Sequence, residues 1–202
     1  MASFRPPRAV EGFSLVEVLI SIIVLSIGLL GAVGMLMAAV RSTHESGSFT
    51  AAVNLIRELS EKARINKRIA ARNGPGNAYV ISDWKSGDAL PGGDPGDGCT
   101  GLAATCTPAR LAAWDIRGWL SRVDDTLPDA RVVVCFDDTP PAEDGSQAWS
   151  CSGNGRNLVV KLGWTSRLPT KAEKEEIRTR PPRVVMQIVA GQAYDAFSPD
   201  GF

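Results

Sequence analysis

The chain has 202 residues, 22 Lys+Arg against 22 Asp+Glu, 44% hydrophobic residues and a single histidine, His44. That balance fits one globular domain of ordinary composition and excludes a strongly basic nucleic-acid-binding domain and an acidic disordered tail. One His makes a multi-His metal site or a Ser-His-Asp triad very hard to build.

Residues 1–12 are short and polar, with Arg5, Arg8 and two prolines. An apolar run follows. Residues 18–40 hold no charge, and from Phe13 to Val40 the only charge is Glu17. A helix of that length reaches roughly 42 Å at ~1.5 Å per residue, more than the ~30 Å hydrocarbon core of a bilayer. A cleaved secretory signal would carry an apolar region of about 7–15 residues ending in a small-residue A-x-A site. This run is longer, and no Ala-x-Ala stands at its distal end. The segment reads as a single-pass anchor. Arg5 and Arg8 hold its N-terminal side in the cytoplasm, so the neutral remainder, residues 41–202, faces outward.

All four cysteines, Cys99, Cys106, Cys135 and Cys151, lie in that outward part. An even set in an exported domain predicts two disulfides with three possible connectivities. Short loops close most readily, which favours Cys99–Cys106 with Cys135–Cys151. A zinc site is the rival, but no C-x-x-C pair occurs and His44 is distant. No metal and no cofactor are expected.

Glu17 is the informative residue of the apolar run. A carboxylate inside a membrane segment costs about 2.5–3.5 kcal/mol on translocon scales. On one reading the span starts at Val18 and Glu17 sits at the interface. If instead the chain is cut after Gly12, Phe13 carries a free amine one helical turn from Glu17, and the carboxylate gains a cationic partner in its own chain or a neighbour's.

Gly12-Phe13 followed by Glu17, opening a long apolar helix, resembles the prepilin-peptidase signature of type IV pilins and pseudopilins. Residues 24–31 (VLSIGLLG), 61–66 (EKARIN) and 106–115 (CTPARLAAWD), with the Cys135 and 159–164 strands, look like the PilV family of type IV pilus modification proteins, which are minor pilins. The resemblance reaches from residue 12 to about 165. Glu11 departs from the basic or neutral residue expected before Gly12. The resemblance implies a leader (1–12), a transmembrane and filament-core helix (13–40) and a periplasmic head (41–202). It also implies cleavage at Gly12–Phe13, N-methylation of Phe13 and an assembly role for Glu17. The implied partners are prepilin peptidase, other minor and major pilins, the inner-membrane assembly platform and, before assembly, inner-membrane lipid; no nucleic acid is expected. The implied location is the inner membrane and then the pilus. A minor pseudopilin of a type II secretion system and a membrane-anchored periplasmic adhesin or DNA-uptake subunit are the alternatives.

Beyond Val40, Ala52, Leu55, Ile56, Leu59, Ala63 and Ala70 recur at helical spacing, so one helix is expected from about Phe13 to Arg72, loosened near residues 41–48. Arg57/Glu61 and Glu58/Lys62 are i,i+4 pairs on its solvated side. The six basic residues between 57 and 72 read as a solvated face, because no aromatic residues interleave as in a nucleic-acid stripe. Gly28, Gly31 and Gly34 permit close helix packing or local melting, or are neutral.

Residues 74–98 are rich in glycine and proline and predict a loop. Thr107 as N-cap with Pro108 at the first position starts a second helix, whose stripe is Ala112, Ile116, Trp119, Leu120 and Val123. Strands are expected at 131–136, 158–164 and 183–189, and the charge run 171–180 predicts a loop or short helix. Asp124/Asp125 and Asp137/Asp138 read as turn residues rather than an acid/base pair. No catalytic set emerges. The expected fold class is α+β: a long N-terminal helix packed on a small antiparallel sheet, with a second short helix.

Overall fold

The computed structural model describes residues 12, 14–91, 99, 105–165, 171, 180–188 and 190. The fold is α+β, and the chain divides into two units, Met1–His44 and Glu45–Phe202.

Helix α1 runs from Leu15 to Ile65, 51 residues without a proline. Within the first unit every residue from Leu15 to His44 is exposed. The hydroxyls of Ser21 and Ser26 donate to the carbonyls of Glu17 and Ile22, each at 2.7 Å. Both polar groups are thus satisfied inside the helix, which suits an apolar surrounding. Residues 41–48, expected to loosen the helix, are helical throughout.

In the second unit α1 buries Ala52, Leu55, Ile56, Leu59 and Ala63. The helix ends later than the polar patch and earlier than Arg72, at Asn66. There the backbone turns to φ −104°, ψ 41°. The buried Asn66 amide donates to the Pro108 carbonyl at 2.6 Å. A short helix α2, Lys67–Ala70, follows. An amide that bonds a neighbouring segment's backbone outcompetes another helical turn here.

The expected loop at 74–98 contains a strand, β1, Ile81–Lys85. It pairs antiparallel with β2, Arg131–Phe136, with a register irregularity between Ile81 and Trp84. A bulge and the exposed Asp83 suit an edge strand, because both discourage further pairing. Strands β3, Leu158–Gly163, and β4, Val184–Ile188, complete a four-stranded antiparallel sheet in the order β1-β2-β3-β4.

Helix α3, Pro108–Thr126, starts where its capping residues require: Thr107 Oγ1 accepts from the Arg110 N–H at 3.3 Å, with Pro108 in the first turn. It buries Ala112, Ile116, Trp119, Leu120 and Val123, together with Asp115. The core joins α1 and α3 to one face of the sheet, formed by Val132, Val134, Phe136, Leu158, Val160 and Leu162.

The other face carries Val133, Cys135, Val159 and Lys161, by the two-residue alternation of strands. All four are nonetheless buried. Among the described residues, the β2–β3 connection reaches this face through Ala148 and Ser150 at Lys161 and through Cys151 at Cys135.

Candidate functional site

Three regions carry the residues singled out by the sequence. At the N-terminus Gly12 is exposed, and an added Cβ would meet no atom within 4 Å. Phe13 lies outside the described residues. The Ser14 carbonyl accepts from the Glu17 N–H at 3.0 Å and from the Val18 N–H at 3.2 Å, closing the first turn of α1. Glu17 sits exposed in that turn. Negative charge is favourable there, since the first-turn N–H groups point toward it. The apolar stretch that follows is long enough to cross a membrane, and among the described residues its side chains are exposed.

The second region is the connection 137–155. Cys135 and Cys151 are bonded, with Cα atoms 6.4 Å apart, and Cys99 and Cys106 form the other disulfide. The chain beyond Phe136 folds back as a strap across the sheet. Lys161, 1% exposed in the middle of β3, extends into it. Its ammonium donates to the carbonyls of Ala148 at 2.8 Å and Ser150 at 2.6 Å and lies 2.5 Å from Asp137 Oδ2. Asp137 Oδ1 accepts from the Thr139 hydroxyl at 2.6 Å and from the N–H groups of Thr139 and Ser152 at 3.1 and 3.0 Å.

Burial alone would raise the Asp137 pKa. The hydrogen bonds from Lys161, Thr139 and Ser152 outweigh that and hold the carboxyl far below its ordinary range. Trp149 packs on the same face: its indole N–H donates to the Arg180 carbonyl at 2.6 Å, and the Arg131 guanidinium lies 4.3 Å from its ring centroid. Gly163 leaves the room for it, because an added Cβ would come within 3.0 Å of the ring. Gly155 serves the turn in another way. Its φ is +99°, and a Cβ would approach the Asp137 carbonyl to 3.2 Å.

Cys135, Asp137 and Cys151 place their ligand atoms within 4.8 Å of one another. The two sulfurs are bonded to each other and the carboxylate is held by Lys161, so the cluster is the corner of the strap rather than a metal centre.

The third region is a polar node between helices. Lys62 of α1 pairs with Asp115 of α3 at 3.0 Å, and its ammonium lies 5.6 Å from the Trp114 ring centroid. Lys62 also stands 4.0 Å from Glu58, whose carboxylate takes the Arg122 guanidinium. Glu61 meets Arg64 at 3.5 Å. The basic run on α1 is therefore partly turned into packing with α3. His44 is exposed on α1. The charge run 171–180 lies almost wholly outside the described residues.

Sequence reasoning missed Lys161 and Tyr79. Lys161 looks like a solvent-facing strand residue in VVKLG, and only the strap's return buries it. Tyr79 sits inside the expected loop. The pattern around Asp137, with Thr139 two residues on, is the one signal that pointed to an ordered turn.

Residues 7–33 match the family model of the prokaryotic N-terminal methylation motif. That motif supports a prepilin-type, type IV pilin-like or pseudopilin subunit. Together with the apolar helix it points to membrane anchoring, and it implies processing by prepilin peptidase and assembly with other pilins. Neither a curated protein nor a solved structure matches the chain.

Proposed function

We propose that the chain is a minor pilin of the PilV type, a structural and not an enzymatic subunit of a type IV pilus. Residues 1–12 are the cytoplasmic leader, 13–40 the helix that spans the inner membrane and later joins the filament core, and 41–202 the periplasmic head. Prepilin peptidase cuts between Gly12 and Phe13 and the new Phe13 amine is methylated. On extraction from the membrane the apolar half of α1 exchanges lipid for the helices of other pilins. Glu17 then neutralises the Phe13 amine of a neighbour and sets the axial register.

The observation that carries this reading is the methylation motif at residues 7–33 opening a helix whose side chains are all exposed from Leu15 to His44. Such a surface demands lipid or other helices around it. The position of Glu17 adds to it, since a carboxylate in the first turn of an apolar helix calls for a partner.

The test is the N-terminus of the mature chain, measured by mass spectrometry on purified membranes and on sheared pili. A methylated Phe13 in both fractions is expected. A chain that still begins at Met1 in wild-type cells overturns the assembly reading and favours a membrane-anchored periplasmic protein. Processed protein absent from pili but required for protein secretion makes it a minor pseudopilin of a type II secretion system.

A further inference from the structure

Lys161 is a buried cation on a sheet face to which the proposed assembly steps give no role. A strand lysine normally keeps its ammonium in water. Here it donates instead to two backbone carbonyls, Ala148 O and Ser150 O, and to Asp137 Oδ2. The two carbonyls flank Trp149 and stand just before Cys151. Asp137 stands two residues after Cys135. One ammonium therefore grips the strap beside both cysteines, from a third strand position set by the pairing Val133↔Lys161 and Cys135↔Val159.

Further contacts hold the same segment. Asp137 Oδ1 takes the Ser152 N–H, the Ser152 hydroxyl donates to Asp138 Oδ1 at 2.6 Å, and the Asn73 amide donates to the Gly153 carbonyl at 2.7 Å. Trp149 is fixed by Arg131 and by the Arg180 carbonyl. None of these contacts uses a sulfur atom.

We propose that Lys161 is the positioning residue for the Cys135–Cys151 disulfide. With Asp137 it holds the strap against the sheet in the dithiol state, so that Cys151 waits beside Cys135 and oxidation closes a loop that is already folded. With a small disulfide as oxidant the chemistry balances. One cysteine thiolate attacks a sulfur of the oxidant and expels its thiolate. The second cysteine thiolate then attacks the mixed disulfide and expels the other half. The two cysteines lose two electrons and two protons, and the oxidant becomes two thiols. A thiol held beside its partner has a high effective concentration in the second step. The inference concerns the head alone and stands apart from whether the chain enters a filament.

The experiment uses the full-length chain in detergent micelles, equilibrated in glutathione and glutathione disulfide and quenched by alkylation, with both disulfides quantified by peptide mass. Lys161→Met keeps the apolar stem and removes the ammonium. The expected result is that the effective concentration for Cys135–Cys151 falls by about tenfold or more while that for Cys99–Cys106 is unchanged. Equal values for Lys161→Met and wild type overturn the proposal, and so does an equal fall at both disulfides.

A second measurement does not depend on the folding of that variant. In Cys135→Ala/Cys151→Ala the amides of Thr139 and Ser152, both bonded to Asp137, should keep their protection from hydrogen exchange. Exchange at the rate of an open loop overturns the proposal.

Discussion

Tyr79 donates its hydroxyl to Asp115 Oδ2 at 2.9 Å, and Lys62 occupies the other oxygen of the same carboxylate at 3.0 Å. One buried aspartate on α3 thus ties the loop before β1 to the last turns of α1. The tyrosine is itself fully buried. Burial, the Asp115 charge and the hydrogen bond to it, in that order, push the Tyr79 pKa far above its ordinary 10.0, against a smaller opposing effect of Asn66.

That shift sets an alkaline limit. A tyrosine whose folded pKa is raised stabilises the fold fully below its unfolded value and loses that contribution as the pH climbs past it. Tyr79→Phe should cost about 1.5–3 kcal/mol near neutral pH, the range for a hydrogen bond to a charged group. The gap between the two proteins should narrow steadily above pH ~10. Urea unfolding at pH 8, 10 and 11 measures it; a gap that is constant with pH contradicts the burial argument.

At the acid end the strap responds through Asp137. Its folded pKa is depressed, so its contribution is present above the unfolded value of 3.8 and is lost as the pH falls toward the folded one. Wild type should exceed Asp137→Asn in stability at pH 7 and pH 5. The two should converge below pH ~4 as the unfolded carboxylate takes up its proton. Chemical unfolding across that window is the measurement, and convergence at a higher pH would assign the acid limb to another group.

Gly163 tests the space that Trp149 needs. A Cβ there would lie 3.0 Å from the indole, which is pinned by its bond to the Arg180 carbonyl and by Arg131. Gly163→Val should cost about 1–3 kcal/mol, the usual range for overpacking, and should shift the tryptophan emission. Unchanged stability and emission would mean that the ring yields freely.

Glu17→Gln separates assembly from anchoring. The change is nearly isosteric and removes a charge from an apolar helix, so insertion should persist or improve. Cleavage at Gly12 should also persist. A neighbour's Phe13 amine, however, would be left without its counter-charge, which typically costs about 3–5 kcal/mol when buried. The variant should accumulate in processed form in the inner membrane and be depleted from sheared pili. Entry into pili at wild-type levels would reduce Glu17 to an interfacial residue.

Much of this architecture is local in origin and could be read directly. The apolar run after Gly12, the spacing of Ala52, Leu55, Ile56 and Leu59, the Thr107-Pro108 start of α3 and the β-branched strands each depend on neighbours a few residues away. Helical and strand periodicity, capping and turn chemistry act at that range, so α1, α3 and strands β2 to β4 follow from the chain itself.

Other features were decided between segments far apart in sequence. Asn66 ends α1 because its amide finds the Pro108 carbonyl, 42 residues on. β1 forms inside a glycine-rich stretch because β2 offers it hydrogen bonds and because Trp84 and Tyr79 find a core to enter. Lys161 shows the same dependence most clearly. Its alternation places it on the face away from the helices, where a lysine ordinarily meets water. It is buried because the strap returns over that face with carbonyls and a carboxylate aimed at the ammonium. For α1, α3 and strands β2 to β4 the sequence by itself determined helix or strand, since those preferences are local. Which polar groups are buried was determined only by the tertiary structure, since a charge is stable there only after distant partners have replaced its water.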